Sequence, residues 1–126
     1  MTCPTMLNHT LYTVIESPAP SEEGGGDAVF RIELLPESVI YQAHFPGRPI
    51  TPGACMIQIV QELAQMYFGN PSLQVKHITN LKFLALLEPQ HHPRVSVMLN
   101  GTPAHLKAEI RDDELLFARL LLELSS

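Results

Sequence analysis

The segment that follows Thr51 constrains the fold most, because it predicts one long and almost wholly apolar helix. Thr51 has the residue type of an N-cap, and Pro52 suits the first helical position. The helix is expected to end at Phe68, since Gly69-Asn70-Pro71 is a strong terminator. Its length of about 17 residues corresponds to roughly 25 Å. Apolar side chains cover most of its circumference, so the rest of the chain must enclose it.

The polar residues of this helix form a narrow stripe. Gln58, Glu62 and Gln65 are spaced by four and three residues, which places them on one side of a helix. A buried polar group without a hydrogen bond costs ~1–3 kcal/mol. The stripe is therefore expected to line a polar cavity or an interface network.

Alternating apolar and polar residues predict strands on both sides of the helix. The predicted strands are 11–17, 28–35, 75–87, 94–99, 104–111 and 115–124. Residues 18–27 are rich in turn formers and are expected to connect the first two strands as a hairpin. Residues 37–43 are expected to be a connection with a short turn of helix. Asn100-Gly101 and Asp112-Asp113 are predicted to be the tight turns between the last three strands.

This element order predicts an α+β fold in which an antiparallel sheet wraps around one helix. A length of 126 residues indicates a single domain spanning 1–126. One curved sheet covers most of such a helix, and the apolar face that remains needs a partner. A dimer is therefore expected.

Composition excludes several classes of function. Eight basic residues against 13 acidic ones give a net charge of −5, which argues against nucleic acid and against an anionic membrane surface. The first ten residues lack the features of a secretory signal, and no apolar run is long enough to span a bilayer. Two cysteines, Cys3 and Cys55, do not make a disulfide framework. A reduced, cytoplasmic protein is expected.

The residues before the helix favour thioester chemistry. His44 is followed by a loop with three prolines, which fix φ and hold the imidazole in place. Gly53, at the start of the helix, offers an N–H group that no intrahelical carbonyl can accept. The helix dipole favours negative charge at that end. A base beside such an amide can remove a proton next to a thioester carbonyl and stabilise the resulting oxyanion.

Residues 44–53, HFPGRPITPG, resemble the signature HFPGxPxxPG of bacterial (3R)-hydroxyacyl-[acyl carrier protein] dehydratases. The resemblance implies a hot-dog fold and a homodimer with two active sites at its interface. It implies that His44 is the catalytic base and that the Gly53 amide binds the thioester. Phe45, Pro52 and Ala54 are then expected to line the substrate site. The substrate would be carried on the phosphopantetheine of acyl carrier protein or on coenzyme A, with no cofactor or metal bound to the enzyme.

The chain departs from the family pattern where the family has its acidic residue. The family helix reads PGVLxxEAxAQ, whereas this chain reads PGACMIQIVQE, so Gln58 stands in place of the acid. A glutamine orients a hydroxyl by hydrogen bonding but donates no proton at neutral pH. Glu62 lies one turn further along and is the candidate for a displaced acid, the alternative being a purely structural carboxylate.

Other candidates carry less weight. A family Pro-Gly-Asp turn is replaced by Leu87-Glu88-Pro89-Gln90, which is expected to affect a loop and not the chemistry. His91-His92 and His105 lack the spacing of a metal site, and Cys55 is expected to be inert in the helix core. Four basic residues are candidates for contact with an acidic carrier protein or a phosphate, or else are solvated surface residues. They are Arg48, Lys76, Lys82 and Arg94.

The leading hypothesis is a dehydratase of 3-hydroxyacyl thioesters that forms trans-2-enoyl thioesters. His44, Gln58 and Glu62 are its candidate catalytic residues. A hot-dog thioesterase, in which Gln58 or Glu62 positions an attacking water, remains open. So does a non-catalytic acyl-thioester-binding subunit.

Overall fold

The computed structural model describes residues 6–43, 45 and 47–126, which form six strands and two helices. Their bounds are β1 Tyr12–Glu16, β2 Gly26–Leu34, α1 Val39–Ala43, α2 Gly53–Phe68, β3 Gln74–Phe83, β4 Arg94–Thr102, β5 His105–Arg111 and β6 Leu116–Ser125. The strands form one sheet in the order β1-β2-β4-β5-β6-β3, and every neighbouring pair is antiparallel. The predicted α+β architecture and the β1–β2 hairpin are confirmed.

Alternation along the central strands places apolar side chains on the face that packs against α2. Phe30 of β2 lies opposite Val97 of β4, which lies opposite Ile110 of β5, which lies opposite Ala118 of β6. All four are buried in the same core cluster as the inward face of the helix. The edge strand β3 differs, since most of its side chains are exposed. The core therefore lies between α2 and the four central strands.

The two ends of α2 differ from the prediction in one respect. Its C-terminus is as expected, because Gly69 adopts φ +66° and its N–H reaches the carbonyl of Met66. At the N-terminus the cap residue is Pro52, not Thr51, and no side chain among residues 6–43, 45 and 47–126 caps the helix. The Thr51 hydroxyl instead lies 2.7 Å from the hydroxyl of Tyr41, so it is not available to cap.

One of the two predicted tight turns is wrong. Asn100 and Gly101 lie within β4, and the chain turns after them at Pro103-Ala104. Gly101 has φ +111° and lies so close to the His105 carbonyl that a side chain would not fit, which explains the glycine inside a strand. The Asp112-Asp113 turn is confirmed, and the Asp112 carboxylate accepts two backbone N–H bonds there.

Burial of the helix is extensive but not complete. Ala54 and Met66 are exposed, whereas Cys55 is fully buried and disulfide-bonded. The reduced thiol expected at Cys55 is therefore wrong, and Cys3 lies outside the described residues. No helix in the described part of the chain is long and apolar enough to cross a membrane.

Candidate active site

The N-terminus of α2 presents two amides without acceptors. The amides of Cys55 and Met56 donate to the Pro52 carbonyl at 3.0 and 3.1 Å. Within the described residues, the amides of Gly53 and Ala54 have no hydrogen-bond acceptor. Since none of the side chains that the structure describes caps this end, the helix dipole acts on this pair of donors. This arrangement suits an oxyanion.

The signature loop is closed by its own backbone. Phe45 and Arg48 exchange two backbone hydrogen bonds, of 3.4 and 3.1 Å, across a turn in which Gly47 has φ +80°. Further along, the Thr51 amide donates to the Leu87 carbonyl at 2.8 Å. His44 and Pro46 lie outside the described residues, so the catalytic role of His44 remains a prediction.

Glu88 fastens this loop to the segment before β4. Its buried carboxylate accepts from Arg48 Nη2 at 2.7 Å and Nε at 3.2 Å, and it lies 2.8 Å from His91 Nδ1. The hydrogen bond from Arg48 holds the pKa of Glu88 below its usual range. The segment that replaces the Pro-Gly-Asp turn therefore supports the signature loop directly, a contact that the sequence analysis did not foresee.

Glu62 is a buried acceptor surrounded by donors. Its Oε2 accepts from the Leu7 amide at 2.8 Å and from Gln58 Nε2 at 2.9 Å. Its Oε1 accepts from the Asn8 amide and from the Tyr12 hydroxyl, each at 2.9 Å. Burial raises the pKa of Tyr12 well above its usual range, and the charge of Glu62 adds to this shift. The phenol therefore stays protonated and donates. Four donors suit an ionised carboxylate that joins α2 to the residues before β1.

The orientation of Gln58 follows from this contact. An ionised carboxylate accepts but does not donate, so the Gln58 NH₂ group faces Glu62. The predicted polar stripe continues at Gln65, whose Nε2 donates to the Leu73 carbonyl at 2.7 Å. Gln58 and Glu62 are thus brought together as predicted, as a hydrogen-bonded pair in which Gln58 donates and Glu62 accepts.

Phe45 lies beside a small cavity next to the signature loop. The cavity has a volume of about 240 Å³ and is lined by Pro36, Tyr41, Gln42, Phe45, Gly47, Pro49 and Gln90. A larger, more apolar groove of about 430 Å³ lies near the C-terminal half of α2. It is lined by Met6, Asn8, Glu62, Gln65, Met66, Gly69 and Pro71. One hollow thus lies at the signature loop, and the other lies along the C-terminal half of α2.

Phe83 is a site residue that the sequence analysis missed. A Cβ built on Gly53 would lie 2.6 Å from Phe83 Cζ and 2.8 Å from Cε2, so the end of the ring rests against the glycine. Pro52 is buried behind this point and Ala54 is exposed beside it. The contact joins residues 30 positions apart, at the end of β3 and the start of α2. No local pattern in the sequence signals it.

The remaining candidates are dispersed. Arg48 and Arg94 are ion-paired with Glu88 and Glu33, whereas Lys76 and Lys82 lie exposed on β3. No group of three or more potential ligand side chains is arranged for a metal ion anywhere in the described residues.

Residues 20–118 match the ApeI-like family, described as ApeI dehydratase. The chain belongs to this family of dehydratases. The match covers most of the chain and includes the signature loop, α2, the strands β2 to β5 and the start of β6. The sequence resemblance to dehydratases is therefore confirmed at the level of a dehydratase-like enzyme, and the narrower assignment stays a prediction.

Two solved structures share the fold. The dehydratase heterocomplex ApeI:P from Xenorhabdus doucetiae has a chain that matches with a TM-score of 0.71 and 20% identity over 90% of this chain and 96% of that one. An uncharacterised protein from Erwinia carotovora subsp. atroseptica matches with a TM-score of 0.66 and 15% identity, over 91% and 96%. The predicted hot-dog fold, one antiparallel sheet around a long helix, is confirmed.

Proposed function

We propose that this chain dehydrates 3-hydroxyacyl thioesters carried by acyl carrier protein and releases trans-2-enoyl thioesters. The observation that carries the proposal is the start of α2 directly after the signature loop, where the Gly53 and Ala54 amides have no acceptor among the described residues. Membership of the ApeI-like dehydratases supports the reaction class. The choice of a thioester substrate rests on the fit between open amides and a thioester carbonyl.

In the proposed reaction His44 removes the proton from C2 of the substrate. Negative charge then develops on the thioester oxygen, where the Gly53 amide stabilises it. The electrons of the C2–H bond form the C2–C3 double bond while the C3–O bond breaks. The departing hydroxyl takes up one proton and leaves as water, so one proton is lost from C2 and one is gained by the leaving group.

We assign the donation of that proton to His44 itself. Gln58 has no acidic proton, and its NH₂ group is directed at Glu62. Glu62 accepts four hydrogen bonds, which suits the ionised form and not a proton donor. The imidazolium formed in the first step is then the acid for the second. Gln58 serves to orient the hydroxyl, and Glu62 serves to hold Gln58.

The test is turnover by the purified chain. 3-Hydroxyacyl thioesters of acyl carrier protein are mixed with the protein, and the conjugated enoyl thioester is followed by absorbance and mass spectrometry. We expect dehydration, and hydration of the enoyl thioester in reverse, both lost in His44→Ala. Equal turnover by His44→Ala, or release of free thiol in place of the enoyl product, would overturn the proposal.

The proposed assembly is a homodimer that brings two half-sites together. The strand β3 is at an edge of the sheet, and Leu81 is exposed on it. An exposed edge strand with apolar side chains is suited to pairing with another chain. Lys76 and Lys82 on the same strand are the proposed contacts for the acidic carrier protein. Sedimentation of the chain alone and with carrier protein tests both interactions.

A hetero-assembly is the second candidate, and the contacts of Gln58 favour it. If His44 cannot supply the second proton, a different chain with a carboxyl group could complete the site. The similar structure from Xenorhabdus doucetiae is a heterocomplex, which makes such a partner reasonable here. This candidate predicts that the chain alone binds 3-hydroxyacyl thioesters without turnover and gains activity when its partner is added. Turnover by the chain alone would exclude it.

A further inference from the structure

Phe83 is a large aromatic residue that is not part of the hydrophobic core. It is 48% exposed, and it does not belong to the cluster of buried apolar residues. Its backbone pairs with Ala118 at the last position of β3, on the edge strand. Its ring nevertheless turns toward α2 and rests against Gly53. The ring therefore lies beside the two open amides, in a place that hydrophobic burial does not explain.

Gly53 leaves room for this ring, and any larger residue would force the end of the ring to shift. Its φ is not among the positive values that favour glycine, so the backbone there accepts any residue. A glycine within a helix costs roughly 0.5–1 kcal/mol relative to alanine. In return, the missing side chain leaves room for the ring, since a Cβ on Gly53 would lie 2.6 Å from Phe83 Cζ. Cα–Cβ bonds and free N–H groups both point toward the N-terminus of a helix. The ring and the open amide consequently face the same region.

We propose that Phe83 contacts the substrate as the wall of the thioester slot. The Gly53 amide binds the thioester oxygen, and the flat ring packs against the thioester group and excludes water from it. The inference deepens the proposed function and rests on it. Because the ring borders the thioester and not the acyl chain, its contribution is the same for short and long chains.

The experiment compares Phe83→Ala with the wild type on 3-hydroxybutanoyl-pantetheine and 3-hydroxydecanoyl-pantetheine. We expect KM to rise about tenfold for both substrates, the size of effect typical of a lost aromatic contact. The pH profile of kcat is expected to stay in place, since the base is untouched. Phe83→Leu, which keeps apolar bulk, is expected to recover part of the loss. The matched control is Leu84→Ala, which truncates the exposed neighbouring residue and should leave KM unchanged.

Stability measurements check the contact itself. Gly53→Ala is expected to lower Tm, and combining it with Phe83→Ala is expected to restore Tm, because the second change removes the clash. A double variant no more stable than Gly53→Ala would contradict the close approach of ring and glycine. These measurements need no substrate, and they remain informative if a variant is inactive.

Three results would overturn the assignment of Phe83. The first is a KM for Phe83→Ala equal to that of the wild type. The second is a KM raised as much by Leu84→Ala as by Phe83→Ala. The third is a rise confined to the decanoyl substrate, which would place the ring against the acyl chain. If the wild type neither binds nor converts either thioester, the proposed function fails together with this inference. If the wild type is active and Phe83→Ala is unchanged, only this inference fails.

Discussion

The polar groups at the start of α2 and those around Glu62 differ in whether their hydrogen bonds are satisfied. At its start, the Gly53 and Ala54 amides are donors without acceptors in the described residues. Two turns further on, Glu62 is an acceptor with four donors. Unmet hydrogen-bonding capacity next to an exposed surface is available to a ligand, whereas a fully bonded buried carboxylate already has its structural partners. The comparison indicates that chemistry belongs to the helix start and that Glu62 supports it from behind.

This difference revises the interpretation of the stripe. From spacing alone, Glu62 is as good a candidate for an acid as for a structural residue. The contacts favour the structural role, because the carboxylate joins Leu7, Asn8 and Tyr12 to Gln58. Under the proposed function, Glu62 then does not replace the acid missing at position 58. The proposal leaves two sources for the second proton, His44 acting twice or another chain.

The largest predicted effect is on stability, in Glu62→Ala. Removing the carboxylate leaves buried donors of Leu7 and Tyr12 without an acceptor, and each unsatisfied group costs ~1–3 kcal/mol. We expect the free energy of unfolding to fall by about 3–5 kcal/mol in urea denaturation. The control is Glu123→Ala on the exposed face of β6, which should change it by less than about 0.5 kcal/mol. Equal effects in the two variants would mean that the Glu62 network contributes no stability.

An intermediate effect is expected for Tyr12→Phe. This change removes one of the four donors and keeps the buried ring, so Glu62 retains three partners. The free energy of unfolding is expected to fall by about 1 kcal/mol. In combination with Glu62→Ala the two losses should not add, because both act on one contact. Full additivity in a double-mutant cycle would show that the hydroxyl stabilises the fold through another partner.

The smallest effect concerns the loop before the helix and depends on pH. The pKa of Glu88 is lowered in the folded chain by Arg48. The contribution of Glu88 to the stability of the fold is therefore fully present above the ordinary glutamate pKa. It is lost as the pH falls through the lowered, folded-state value. Acid titration followed by thermal unfolding should therefore show a steeper loss of Tm for the wild type than for Glu88→Gln. Arg48→Gln should show the same flattened profile, and unchanged profiles in both would exclude the ion pair as a support of the loop.

Much of the fold was predictable because its signals are local. Gly69-Asn70-Pro71 marks the end of α2 within the sequence itself, and period-2 patterns mark the strands. Errors arose where a distant partner competes for a group. The Thr51 hydroxyl contacts Tyr41 and does not cap the helix, and Gly101 stays in a strand because the His105 backbone approaches it.

The candidate site was only partly predictable for the same reason. The open amide of Gly53 follows from its place at a helix start, which the sequence shows. Three of the four partners of Glu62 are 50 or more residues away in the chain, and Phe83 is 30 residues from Gly53. Contacts of this kind depend on how the sheet wraps around the helix, and spacing within one segment does not encode them.

The measurement that tests the account most directly is the rate of dehydration by Glu62→Gln beside that by His44→Ala. Both variants are assayed with the same 3-hydroxyacyl thioester of acyl carrier protein, with kcat corrected for the folded fraction. We predict that His44→Ala loses at least ~10²-fold, as expected for a general base, and that Glu62→Gln stays within about tenfold of the wild type. A loss of ~10²-fold or more in folded Glu62→Gln would make Glu62 the acid and contradict the account, whatever the effect of His44→Ala.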